Sequence, residues 1–171
     1  MLLAFSLSMI LCFIGFQYLR EKQYKSDFLN AQPQMYNRNL LKVVEDGLSY
    51  EEYITKNEKP FEDLRVSIIS LSGAVIYDNM ISLDSLDNHS HRPEIEAALN
   101  NGFGYHIGRQ STSDGRQYFY SATKGKRAII RTAIPYSSTL RELLKADWNF
   151  LGVMILISSV MDLRERETAQ L

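Results

Sequence analysis

The side chains best suited to chemistry lie between Asp78 and Arg131. Asp87, His89, His91 and Glu94 carry ligand-type groups at short spacing, with His106 further on, and histidine with carboxylate is a donor set that metals favour. The spacing fits no standard metal pattern, so the reading is no metal. Asn88 and His89 are instead expected to satisfy backbone groups in a loop ahead of a helix. Protonation of the histidine would make that loop respond to pH. Arg92, Arg109 and Arg131 could converge on an anionic ligand through charge-assisted hydrogen bonds. The alternative is ion pairing with Asp78, Asp87 or Glu94. Tyr118, with Tyr105 and Tyr120, could line a small-ligand pocket or pack as alternating strand aromatics. The ligand candidates are therefore His89, Arg92, Arg109, Tyr118 and Arg131, with no catalytic residue and no cofactor. No nucleophile beside a base and no glycine-rich phosphate loop occurs in the 171 residues.

The elements that must hold these residues are written around them. Pro93 suits the first turn of a helix, where its missing N–H costs nothing. Glu94 and Glu96 favour the same end electrostatically. Ile95, Ala98 and Leu99 give one apolar face, and Gly102 is a left-handed stop. Tyr105 to Ser111 and Arg116 to Thr123 read as strands joined by a turn at Ser113-Asp114-Gly115, with Tyr118 and Tyr120 on one face and Phe119 on the other. Upstream, Leu64 to Leu71 has apolar residues on both faces and reads as a central strand. Ser72-Gly73 turns it into a second strand, Ala74 to Asn79. Lys124-Gly125-Lys126 turns into a fifth, Arg127 to Pro135. Ser49, with Glu52 three residues on, predicts a capping box at the head of a short helix. The expected class is α+β, with one five-stranded antiparallel sheet and a long N-terminal helix.

Charge and hydropathy bound the rest. Nineteen basic and twenty acidic residues leave a net charge of −1, which excludes a nucleic-acid footprint. The one cysteine, Cys12, permits no disulfide within the chain. Residues 1–19 carry no charge and are about long enough to cross a membrane, which favours an uncleaved transmembrane helix over a signal peptide. A soluble domain, 20–147, follows. A second, shorter apolar run at 148–161 is expected to return through the membrane, with a charged tail at 162–171. From Arg20 to Val44 a long helix is expected, with a kink or break at Pro33. Its apolar positions Tyr24, Phe28, Ala31 and Met35, and later Leu40, Leu41 and Val44, could pack on the chain's own sheet, form a dimer contact, or do each on a different face.

Arg65-Val66-Ser67-Ile68-Ile69, Ser72-Gly73-Ala74-Val75-Ile76-Tyr77-Asp78-Asn79 and Asp87-Asn88-His89 through Arg92-Pro93-Glu94-Ile95 together carry a likeness. Arg109-Gln110-Ser111-Thr112, Tyr118 to Ala122 and Arg131-Thr132-Ala133-Ile134-Pro135 continue it. The set resembles the extracytoplasmic PAS-like sensor of membrane histidine kinases of the phosphate-regulon type, over about residues 20–148. The chain departs from that pattern at Asp87, Asn79 and Ser72, and no segment resembles a phosphoacceptor helix or an ATP-binding domain. The resemblance implies a PAS-like sheet domain between two membrane helices, facing outward from the inner membrane, homodimeric, and passing a small-ligand or protein stimulus to a kinase. Kinase activity itself belongs to the family and not to these residues. A stand-alone membrane-tethered binding protein is the alternative, and the sensor of a chemoreceptor or cyclic-dinucleotide enzyme a third reading.

Overall fold

The computed structural model describes residues 2–137 and, beyond them, 140, 144, 152, 153, 156, 159 and 160; of residues 2–7 and 10 it describes the backbone alone. The chain divides into two compact units, Met1–Lys25 with Glu142–Leu171, and Ser26–Arg141. In the first unit the apolar run is helical from Leu2 onward. Among the described residues no helix is long and apolar enough to cross a membrane. The first expected span includes side chains outside that description, and most of the second, 148–161, lies outside it altogether.

Helix α1 runs from Leu2 to Glu45 without interruption, so the break expected at Pro33 does not occur. A proline inside a helix removes one backbone hydrogen bond and clashes with the preceding turn. Here the loss is offset by packing that continues across it. Asn30, Pro33, Asn37, Leu40 and Leu41 recur at helical spacing and are all buried. The positions singled out in sequence, Tyr24, Phe28 and Met35, are 70 %, 74 % and 64 % exposed. Of the apolar stripe, Leu40 and Leu41 are buried as expected, together with Asn30, Pro33 and Asn37, and the packing reading is corrected for Tyr24, Phe28 and Met35.

Helix α2, Tyr50–Lys56, begins as expected at Ser49, whose hydroxyl accepts a hydrogen bond from the Glu52 N–H at 3.2 Å. Five strands follow: β1 Arg65–Ser70, β2 Val75–Asp78, β3 Phe103–Gln110, β4 Gln117–Lys124 and β5 Ala128–Pro135. They form one antiparallel sheet in the order β2-β1-β5-β4-β3. The last strand in sequence, β5, is therefore central, flanked by β1 and β4. Helix α3, Pro93–Asn101, joins strands on opposite edges and so has to cross a face of the sheet. Pro93 opens it, and Gly102 closes it with φ +85°.

The two faces divide by strand alternation. On one, Ile69, Ala122 and Ile129 pack against Ile95 and Ala98 of α3. On the other, Asn37 of α1 donates a hydrogen bond to the Ser121 carbonyl at 3.3 Å, and Glu45 accepts one from the Lys126 N–H at 2.6 Å. Each fully buried Ile or Phe contributes about 1.5–3 kcal/mol, and Val66, Ile68, Phe119 and Ile130 are all buried. After β5, Ser137 accepts a hydrogen bond from the Leu140 N–H at 3.2 Å, and Leu140 and Leu144 are helical and buried. The remainder of the helix expected over Ser137–Lys145, including Leu143, lies outside the described residues.

Candidate functional site

On the α3 face, just beyond the apolar cluster, the sheet turns polar. In β1 the buried residues Arg65 and Ser67 alternate with Val66 and Ile68, so one face of this strand carries a guanidinium and a hydroxyl. The register sets Ser67 opposite Arg131 of β5. Arg131 Nη2 donates to Ser67 Oγ at 3.2 Å, and Ser67 Oγ donates to Asp78 Oδ2 at 2.8 Å. Arg65 Nε reaches the same Asp78 carboxylate at 2.9 Å and 3.1 Å.

Arg109 arrives through an irregularity in β3. His106 pairs with Tyr120 while Arg109 pairs with Tyr118, so β3 uses three residues where β4 uses two. This is a β-bulge, and Gly108 within it takes φ +66°, a conformation that side chains resist. In regular pairing Arg109 and His106, an odd step apart, would point to opposite faces. The extra residue turns Arg109 onto the face of His106, Tyr118 and Tyr120.

There Arg109 meets Glu94, in the first turn of α3. The Glu94 side chain is fully buried and accepts from Arg109 Nη2 at 2.7 Å, with Arg131 Nη1 at 3.6 Å. The guanidiniums of Arg109 and Arg131 lie over the ring of Tyr120, 4.2 Å and 5.0 Å from its centre. Such cation–π contacts strengthen when desolvated. Burial pulls the Arg131 guanidinium down to about 10 while Glu94 opposes the shift, so it is charged at neutral pH.

These groups wall a cleft with about 10 Å³ of free space, the room of about one water. Its mouth is formed by the loop before α3 and the β3–β4 turn. Arg92 donates from Nη2 to Thr112 Oγ1 at 3.1 Å and joins the two lips. Arg65 Nη1 donates to Ser113 Oγ at 3.2 Å on the inside. Arg65 Nη2, Arg109 Nε, Arg131 Nε, His89 Nδ1 and Glu94 Oε2 are buried polar atoms with no protein partner.

Of the sequence candidates, His89, Arg92, Arg109 and Arg131 meet at this cleft. The three arginines gather at one cleft, and ion pairing occurs within it: Glu94 pairs with Arg109 and Arg131, while Asp78 pairs with Arg65. Tyr118 stands outside the cleft. Its ring is buried against Tyr120, and its hydroxyl donates to Asp114 at 2.6 Å across the hairpin turn. Burial, then the Asp114 carboxylate, pushes the phenol up to about 12, which suits a structural role. Tyr105 is on the opposite face, stacked on Phe119. Asn88 acts as expected, donating to the Ser72 carbonyl and accepting from the Ser90 N–H. Asp87 and His91 are exposed, and among the described residues no cluster of His, Cys, Asp and Glu could hold a metal.

Arg65 and the serines of the turn were not singled out by sequence reasoning. The signal was present, because Arg65 and Ser67 at i, i+2 mark a polar face in a strand read as apolar on both sides.

His89 is buried, and its backbone N–H donates to the Gly73 carbonyl at 2.8 Å. Burial lowers its imidazole from the usual 6.5 to about 3, and the fields of Arg131, Arg92, Arg65 and Arg109 add to that shift. The pH response anticipated from this loop therefore does not come from His89 near neutrality. Above pH 6.5 the ring is neutral folded or unfolded and contributes nothing to pH dependence. Between 6.5 and about 3 only the unfolded chain takes up the proton, so stability falls as the pH is lowered through that window. His89→Gln is expected to flatten this part of the stability–pH curve, measured by urea unfolding; an unchanged slope would mean that the ring charges in the folded state.

No family model matches the chain, and no match was found among the curated proteins or the solved structures.

Proposed function

We propose that the chain is the sensory input module of a membrane sensor histidine kinase. It acts as an extracytoplasmic PAS-like domain in the inner membrane, works as a homodimer and passes its state to a kinase of the two-component type. One observation carries this reading. Helix α1 is a single uninterrupted element with two faces, one set against the sheet and the other exposing Tyr24, Phe28 and Met35. With Ala31, these exposed positions recur at steps of four, three and four, the spacing of a coiled-coil seam. A helix seated on the sheet by one face and on its twin by the other would couple sheet packing to helix position. A stimulus that favours one packing of the sheet would then shift the population of helix arrangements. The resemblance of residues 20–148 to such sensors, and an antiparallel sheet with α3 set before its last three strands, support the same reading.

The test is disulfide crosslinking in native membranes, after Cys12 has been replaced by alanine. Phe28→Cys and Met35→Cys are expected to form interchain disulfides, and Leu40→Cys, buried on the sheet side, is not. Absence of crosslinks at every position between 20 and 44 would overturn the dimeric-helix mechanism.

A further inference from the structure

We infer that the arginine cleft is a receptor site for a small oxyanion, admitted by opening the Arg92–Thr112 bond. The inference deepens the sensory reading by naming the chemistry of the stimulus, and it rests on that reading for the use made of the ligand. Three observations carry it.

The first is charge. Four guanidiniums, of Arg65, Arg92, Arg109 and Arg131, line the cleft, and the carboxylates paired within it are those of Asp78 and Glu94. Asp114, the acid of the adjoining turn, is held by the Tyr118 hydroxyl and the Arg116 N–H. Cationic side chains are thus in surplus where burial makes unpaired charge costly.

The second is unmet donors. Arg65 and Arg131 are each 2 % exposed, and each keeps a buried N–H without a protein acceptor, as does Arg109. Buried donors of this kind are rare in folded chains, and charged ones cost most. A water fits the free space, but a water adds no negative charge. An oxyanion supplies both the charge and several acceptor atoms, and guanidinium matches carboxylate and phosphate oxygens with the same planar fork.

The third is the mouth. The walls set in β1, β4 and β5 are buried, whereas Arg92 is part-exposed and Thr112 exposed, and one hydrogen bond closes the gap between them. Swinging Arg92 outward enlarges the cleft without disturbing β1, β4 or β5. The bound anion then touches the loop leading into α3, beside the Arg109–Glu94 pair that ties α3 to the bulged strand. Occupancy of the cleft and the seating of α3 are linked through this shared arginine.

The experiment uses the full chain in detergent micelles. Orthophosphate, sulfate, acetate and succinate are the probes, and sodium chloride at matched ionic strength is the control. At about 10 mM, at least one oxyanion is expected to raise the thermal unfolding midpoint beyond chloride. Arg92→Gln leaves the buried network intact and is expected to weaken that binding by about tenfold or more. A response to phosphate and sulfate alone assigns a tetrahedral oxyanion, and a response to acetate or succinate alone a carboxylate; both support the inference. The His89 ring, followed by NMR, is expected to titrate above about 3 once an anion neutralises the surrounding arginines. The inference is overturned if no probe exceeds chloride, if Arg92→Gln retains full binding, or if binding leaves the His89 titration unmoved. Interchain crosslinking of α1 requires none of these outcomes, so failure here and failure of the sensory reading are separately visible.

Discussion

Replacing Glu94 with glutamine is expected to cost about 3–5 kcal/mol of folding free energy, the penalty for leaving a buried charge without its partner. The side chain is fully buried between Arg109 and Arg131, and Arg131 is itself almost inaccessible. Glutamine keeps the volume and offers Arg109 one carbonyl oxygen, but it removes the negative charge. Two guanidiniums would then share a buried site without the one carboxylate that touches both. Urea unfolding of the full chain measures the loss. A second substitution identifies its cause: Glu94→Gln with Arg131→Met is expected to lose less than Glu94→Gln alone, because a buried ion pair replaced by apolar groups is often neutral or better. A double variant as unstable as the sum of its parts would assign the effect to packing instead.

Gly73→Ala is the second large effect, and it reaches the cleft from the other side. Gly73 has φ +89°, and a Cβ placed there would lie 2.5 Å from the Ser90 backbone nitrogen and would also clash with Asn88 Oδ1. A side-chain oxygen can move, but a backbone nitrogen yields only if the loop does. Overpacking of this kind costs about 1–3 kcal/mol, and a left-handed conformation without glycine about 1–2 kcal/mol more. The same loop carries the His89 N–H that donates to the Gly73 carbonyl. Hydrogen exchange at the His89 amide is therefore expected to accelerate in the variant by more than the global loss of stability explains. Unchanged protection would show that the turn adapts without moving the loop.

Local chemistry made most of the elements readable. Pro93 and Gly102 bounded α3, Ser49 capped α2, and turn residues separated strands whose alternation was clear. Less visible was anything set by partners distant in sequence. The period of α1 was recognised, yet Tyr24, Phe28 and Met35 proved exposed, because the packing face is the adjacent stripe through Asn30, Pro33 and Asn37. Pro33 did not break the helix because that stripe holds both sides of it. At the site, Arg92, Arg109 and Arg131 could be named from residue type alone. That Arg109 shares a face with Arg131 depends on the bulge, which alternation cannot reveal. Glu94 was readable both as a charge favouring a helix start and as an ion-pair partner for these arginines, and it is both; its complete burial was not readable. Whether a carboxylate in a first turn faces water or protein depends on which way the helix rolls on its sheet.

The extra residue in β3 also has a consequence for inheritance. Because one residue decides which face Arg109 occupies, loss of a single codon at Ile107 or Gly108 would return the strand to regular pairing and withdraw that arginine from Glu94. Strand order, α3 and the hairpin turn would all be encoded as before. A lineage could therefore silence this cleft by one in-frame deletion and restore it by one duplication, and alignments of its descendants would record the change as a gap rather than as a substituted arginine.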